Sequence, residues 1–141
     1  MTPILAGILL VLMCRASTAH FTVTLPIATV PRDFADNSIV KYSVNVDNDQ
    51  GEYAGGTFTV PTNGVYSLSV SMMSGLYLTA HCVIYRNNDR LVWLYTGSSY
   101  DMASQTINVR LTANDLITVR MESGTSLFSA YNTFSAIRIL D

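Results

Sequence analysis

His81 and Cys82 stand side by side, and a thiol next to an imidazole is the pairing from which a nucleophile could be made. The run around them, Leu78-Thr79-Ala80-His81-Cys82-Val83-Ile84-Tyr85, reads as a β-strand with Leu78, Ala80, Cys82 and Ile84 on its apolar face. Successive side chains of a strand point to opposite faces, so His81 and Cys82 cannot form a thiolate–imidazolium pair. Cys82 is read as a buried thiol, with an intermolecular bridge as the alternative. His81 is read as a polar-face or interface residue. There is no Gly-x-Ser-x-Gly elbow and no His/Cys cluster with zinc spacing. Nothing here assembles a catalytic site, and the chain is read as a non-enzyme.

Two other groupings could hold a ligand. Asp47-Asn48-Asp49-Gln50-Gly51-Glu52 gathers hard oxygen donors, which makes Asp47 and Asp49 the calcium candidates. An EF-hand would need a glutamate at its twelfth position, where this chain has Phe58; a solvated acidic turn is the plainer reading, and no other cofactor is expected. Tyr85-Arg86-Asn87-Asn88-Asp89-Arg90 joins an aromatic ring to guanidinium forks and amides, and Tyr95, Tyr100 and Asp101 flank a further loop. Rings with Arg and Asn suit carbohydrate or acidic groups, and tyrosine is favoured at protein interfaces. Arg86, Asn87, Asp89, Arg90, Tyr100 and Asp101 are the ligand-binding candidates, although each taken singly is also an ordinary surface-turn residue.

The elements that would position these residues are short strands. Thr57-Phe58-Thr59-Val60 and Tyr66-Ser67-Leu68-Ser69-Val70 alternate apolar with polar on either side of Pro61-Thr62-Asn63-Gly64. They form a hairpin or a strand corner, with Asn63-Gly64 able to take positive φ. Alternation recurs in 21–25, 39–46 and 103–111, further strands are read over 76–85, 90–95 and 116–121, and the chain closes with 128–140. Residues 28–37, 47–56 and 122–126 read as irregular or loop. About ten short strands separated by turns predict an all-β, antiparallel sandwich. A jelly roll fits the count, while the Cys…Trp…Cys spacing of immunoglobulin domains is absent.

The chain has 141 residues, 49% of them hydrophobic and 13% charged, against about 25% charged in an ordinary soluble domain. Such a chain folds as one domain and has reason to hide part of its surface between subunits, where charge is depleted. A net charge of −2 provides no basic footprint for nucleic acid and no polybasic stretch for lipid. Residues 1–19 read as a secretory signal: an apolar run from Ile4 to Met13, then Ser17-Thr18-Ala19 with small residues where a signal peptidase inspects. An uncleaved anchor or a buried strand is the alternative. The run falls short of the roughly 20 residues of a transmembrane helix, so no membrane insertion is expected. Cleavage after Ala19 would remove Cys14 and leave Cys82 as the single cysteine of a secreted domain over 20–141. No Asn-x-Ser/Thr sequon occurs.

Gly56-Thr57-Phe58-Thr59-Val60-Pro61 with Gly64-Val65-Tyr66, preceded by Gly51-Glu52-Tyr53, resembles the signature of the C1q globular-head domain. Leu111-Thr112-Ala113-Asn114-Asp115-Leu116-Ile117 is similar to that family's Leu-x-x-Gly-Asp turn, Asn132-Thr133-Phe134-Ser135 to its last strand, and Phe21-Thr22-Val23 to its first. Leu68 stands where the family has Phe, Asn114 where it has Gly, and Ala136 where it has Gly; Asn114 can manage the left-handed turn. The resemblance implies a ten-stranded antiparallel jelly roll shared with tumour-necrosis-factor-like ligands. It also implies a compact homotrimer, with Phe58, Val60, Tyr66 and Phe134 building the core and the trimer contact, and calcium in some members. No Gly-x-y repeat precedes the domain, which implies a secreted, head-only member. The function expected from it is lectin-like pattern recognition of carbohydrate or microbial surfaces in innate immunity. A cytokine-like trimeric ligand for a receptor and a structural, matrix or storage component are the alternatives.

Overall fold

The structure, a computed structural model, describes residues 18–28, 32–76, 79–124 and 126–141. Most of the signal-peptide segment, Cys14 and the expected strand position of Leu78 lie outside the described residues. The described strands are β1 (His20–Thr24), β2 (Arg32–Asp33), β3 (Val44–Asp47), β4 (Tyr53–Ala54), β5 (Thr57–Thr59), β6 (Gly64–Met73), β7 (Ala80–Arg86), β8 (Asp89–Thr96), β9 (Met102–Leu111), β10 (Leu116–Gly124), β11 (Ser126–Leu127) and β12 (Thr133–Leu140). A 3-10 turn covers Ser129–Tyr131. A first sheet runs β3-β1-β12-β6-β9, a second β4-β5-β10-β7-β8, and β11 pairs with β2. The pairings are antiparallel. This is the jelly roll that the family resemblance implies and that the strand count allows.

Alternation in the sequence becomes burial in the fold. Along β6, Tyr66, Leu68, Val70 and Met72 point inward and Val65, Ser67, Ser69, Ser71 and Met73 outward. An aromatic cluster ties the sheets together: Phe21 packs 4.9 Å from Phe58, 5.1 Å from Tyr53 and 5.1 Å from Phe134 between ring centroids, and Phe58 packs 5.8 Å from Tyr66. Cys82 is fully buried beside Met121, and burial pushes its thiol up to about 12. It is a neutral, inaccessible core residue on the face of β7 opposite His81.

Several local readings are settled or changed. The Thr57–Val70 stretch is a corner, because β5 belongs to the second sheet and β6 to the first. Neither Asn63 nor Gly64 adopts positive φ. Glycine is needed at 64 for closeness instead, since a Cβ there would lie 2.5 Å from the Leu140 carbonyl oxygen and 2.6 Å from Arg138 Nε. Asn114 does take the left-handed conformation, at φ 71°. The alternating run 39–46 is split between sheets: the Val40 amide donates to Val119 of β10, while Val44–Asp47 pairs with β1. Residues expected as a loop after Met121 instead extend β10 and form β11, and 128–132 is a turn rather than the start of the last strand. Buried Asn132 holds that turn, accepting from the Met73 amide and donating to the carbonyls of Phe128 and Ser129. Ala19 is part of the folded body, with its carbonyl accepting from the Arg138 amide.

Candidate functional site

The outward side of the second sheet carries the densest polar chemistry among the described residues. Ala80, Cys82 and Ile84 take the core side of β7, which leaves His81, Val83 and Tyr85 facing out. Opposite Tyr85 stand Arg90 of β8 and Thr118 of β10; opposite Val83 stand Trp93 and Arg120; opposite His81 stand Tyr95 and Ser123. Two bulges set this grid. One sits at Leu91, between the pairs Ile84–Val92 and Tyr85–Arg90, and the other at Glu122, between Met121–Cys82 and Ser123–His81. Each inserts an extra residue and re-aims its neighbours, so that Arg90 and Glu122 reach the same tyrosine.

Tyr85 is the centre of the cluster. Its hydroxyl donates to Glu122 Oε2 at 3.3 Å. The Arg120 guanidinium lies 4.2 Å from the ring centroid and that of Arg90 5.4 Å, both within cation–π range. Arg90 grips Glu122 through Nη2–Oε1 at 3.0 Å and Nε–Oε2 at 3.3 Å. That grip holds the Glu122 carboxyl below its usual range and raises Arg90. Among the described residues, Arg120 donates only to neutral oxygens, Thr118 Oγ1 at 3.1 Å and the Asn87 carbonyl at 3.2 Å. Trp93 and Tyr95 are 47% and 62% exposed, while Val83 between Trp93 and Arg120 is completely buried although it faces outward. The side chains around it therefore close over it as one continuous surface.

The sequence-derived candidates do not converge on one site. Arg86, Asn87, Asp89 and Arg90 share the β7–β8 turn. Tyr100 and Asp101 follow the far end of β8, about 20 Å away along the strand. Asn87, at φ 55°, uses its amide to hold the turn: Oδ1 accepts from the Leu116 amide and Nδ2 donates to Asp115. Asp101 accepts from Ser98 and from the Met102 amide. Tyr100 meets Phe128 edge-on at 5.3 Å. Of the six, Arg90 joins the cluster directly. Tyr85 belongs to the Tyr85–Arg90 run that the sequence singles out; Trp93, Arg120 and Glu122 are the residues that loop-based reasoning missed, and the last two come from β10, which no local signal ties to the β7–β8 turn.

The acidic loop is organised otherwise. Asp47 Oδ2 meets His20 Nε2 at 3.0 Å, and His20 Nδ1 lies 2.7 Å from the Thr18 carbonyl. That carbonyl first, and Asp47 second, raise the histidine above its ordinary value. Asn48 is spent on the backbone of Tyr53, and Asp49 is exposed. Among the described residues no three of His, Cys, Asp and Glu are grouped to hold a metal ion, so Asp47 and Asp49 do not gather a ligand set of that kind. Ser123 Oγ lies 3.5 Å from His81 Nδ1. Among the described residues, no carboxylate hydrogen-bonds the other nitrogen to make a triad.

The outward side of the first sheet is different in kind. Thr22, Ser135, Ser69 and Thr106 form one row across four strands, and Thr24, Thr133, Ser71 and Ser104 the next. Ser69 Oγ and Thr106 Oγ1 are 2.9 Å apart. A third row runs His20, Ile137, Ser67 and Asn108. Across these four strands the rows hold no Lys, Arg, Asp or Glu; on the fifth strand, β3, Asp47 stands opposite Thr22 and bonds His20. Phe58, Val60, Tyr66 and Phe134, by contrast, are at most 1% exposed inside one chain. They lie in the core of the single chain.

Two five-stranded antiparallel sheets in this order define a jelly-roll domain of the C1q and tumour-necrosis-factor type. The C1q domain family model matches residues 20–137, and the chain belongs to that family. Among solved structures, Eiger TNF from S. frugiperda is similar with a TM-score of 0.71 and 15% identity, over 88% of this chain and 94% of that one. The globular domain of zebrafish complement 1qA gives 0.66 and 15%, over 85% and 96%. Murine APRIL gives 0.60 and 15%, over 86% and 100%. No curated protein sequence matches the chain. Among the described residues no helix is long and apolar enough to cross a membrane.

Proposed function

We propose that the protein is a secreted, non-enzymatic recognition module that binds carbohydrate on microbial surfaces in innate immunity and works as a homotrimer. The observation that carries the binding role is the exposed Trp93–Tyr95 pair beside the Tyr85–Arg90–Arg120 cluster. Rings offer flat apolar area, and fixed guanidiniums offer directed donors. Residues 1–19 would direct secretion. The hydroxyl rows across β1, β12, β6 and β9 support copy-to-copy contact, since short side chains let sheets approach closely and charge is depleted at such interfaces. Glycan arrays and bacterial-polysaccharide pull-downs with the purified protein test the binding role. Saccharide binding above background is expected, and a blank across both panels overturns it.

A second reading, a trimeric protein ligand for a receptor, is favoured by residue type: Trp, Tyr and Arg dominate the energetic centres of protein interfaces. Crosslinking to one cell-surface protein, abolished by Trp93→Ala, would select that reading.

A further inference from the structure

We propose that the outer face of the second sheet is a binding site for acidic saccharides, with Arg120 as the anion contact and Trp93 as the stacking platform. This rests on the carbohydrate reading and specifies its ligand class and place. Charge bookkeeping around the cluster singles out Arg120. Glu122 is matched by Arg90 through two hydrogen bonds. Asp115 is satisfied by the Asn87 amide and the Thr112 backbone. Arg120 has no acidic partner among the described residues, and its two hydrogen bonds go to neutral oxygens. A guanidinium has five N–H donors, so most of the fork remains for an incoming ligand.

That fork is also held in place. The Tyr85 ring lies 4.2 Å beneath it, and Tyr85 is itself fixed by its bond to Glu122. A pre-set planar fork loses little freedom on binding and matches a carboxylate or sulfate in bidentate geometry. Trp93 lies in the same cross-strand row, one strand beyond Val83, so its Cα is about 10 Å from that of Arg120. One or two sugar rings span such a distance. An acidic group would seat on Arg120 while the apolar face of a ring covers the indole. His81 and Tyr95, ring centroids 5.7 Å apart, continue the platform along β7 and β8.

The full chain is titrated with a heparin hexasaccharide, an oligogalacturonate, a dextran oligosaccharide and polyglutamate. Both acidic saccharides are expected to bind, more weakly as salt rises, and dextran and polyglutamate to bind far more weakly. Arg120→Gln should weaken the acidic saccharides by about tenfold or more, the scale of one lost charged hydrogen-bonded contact. Trp93→Ala, a half-exposed change checked for an unaltered fold by circular dichroism, should weaken them by several-fold. Arg110→Gln on the other sheet should leave them unchanged. Undiminished binding by both Arg120→Gln and Trp93→Ala overturns the site while leaving carbohydrate recognition standing. Binding of dextran alone overturns the acidic class. Equal binding of polyglutamate, insensitive to Trp93→Ala, reduces the patch to unspecific charge and overturns the proposal. Failure of every saccharide brings down both readings.

Discussion

Across the first sheet, Thr22, Ser135, Ser69 and Thr106 line up as a row of hydroxyls; across the second, the matching rows read Arg120, Val83, Trp93 and Thr118, Tyr85, Arg90. The inward sides of both sheets obey the same demand, to fill one core with Phe21, Phe58, Tyr66, Phe134 and their neighbours. The outward sides are free of that demand, so their contents report what they meet. Short, uncharged side chains leave a flat surface that another flat surface can approach. Large rings and guanidiniums, cross-linked by Glu122, make a patterned surface suited to a smaller, charged ligand. The difference lies in outward positions that folding alone leaves nearly free.

The largest effect separates inward from outward along a single strand. Phe134→Ala should cost about 3–5 kcal/mol in urea unfolding, while Ser135→Ala beside it should stay within about 0.5 kcal/mol in the isolated chain. Comparable losses at both would mean that the hydroxyl row is part of the core. Next comes the corner joining the two sheets. Gly64→Ala should destabilise by about 1–3 kcal/mol, because the added methyl group has to displace the Leu140 backbone or Arg138. A neutral result would show that the end of β12 yields freely, and that the first sheet is less rigid than its neighbour.

The smallest effect belongs to the second sheet. Glu122 has a lowered pKa in the fold, with Arg90 as its main cause. Its contribution is therefore present above the ordinary carboxylate range, near about 4.3, and is lost as pH falls through the folded value. The urea midpoints of the native chain and Glu122→Gln should differ slightly near about pH 7 and converge near about pH 3. A gap that widens on acidification would contradict the ion pair.

The sequence made the core legible because a period of two separates Phe58, Tyr66 and Phe134 from their polar neighbours, and because Asn114 does what a left-handed turn requires. It did not make the candidate site legible. The cluster depends on bulges at Leu91 and Glu122, and a shift of one residue turns a side chain to the other face of a strand. Alternation places Tyr85 and Arg120 outward, yet nothing local says that Arg120 will lie on the Tyr85 ring from a strand more than thirty residues later. The run 39–46 misled for a related reason: its alternation continues while the chain crosses from one sheet to the other.

Sedimentation velocity at micromolar concentration, on the native chain, Ser69→Arg and Trp93→Arg, tests most directly whether one face joins copies and the other stays free for ligand. A trimer is expected for the native chain and for Trp93→Arg, with a folded monomer for Ser69→Arg. A native monomer, or a monomeric Trp93→Arg beside a trimeric Ser69→Arg, would contradict this division of the two faces.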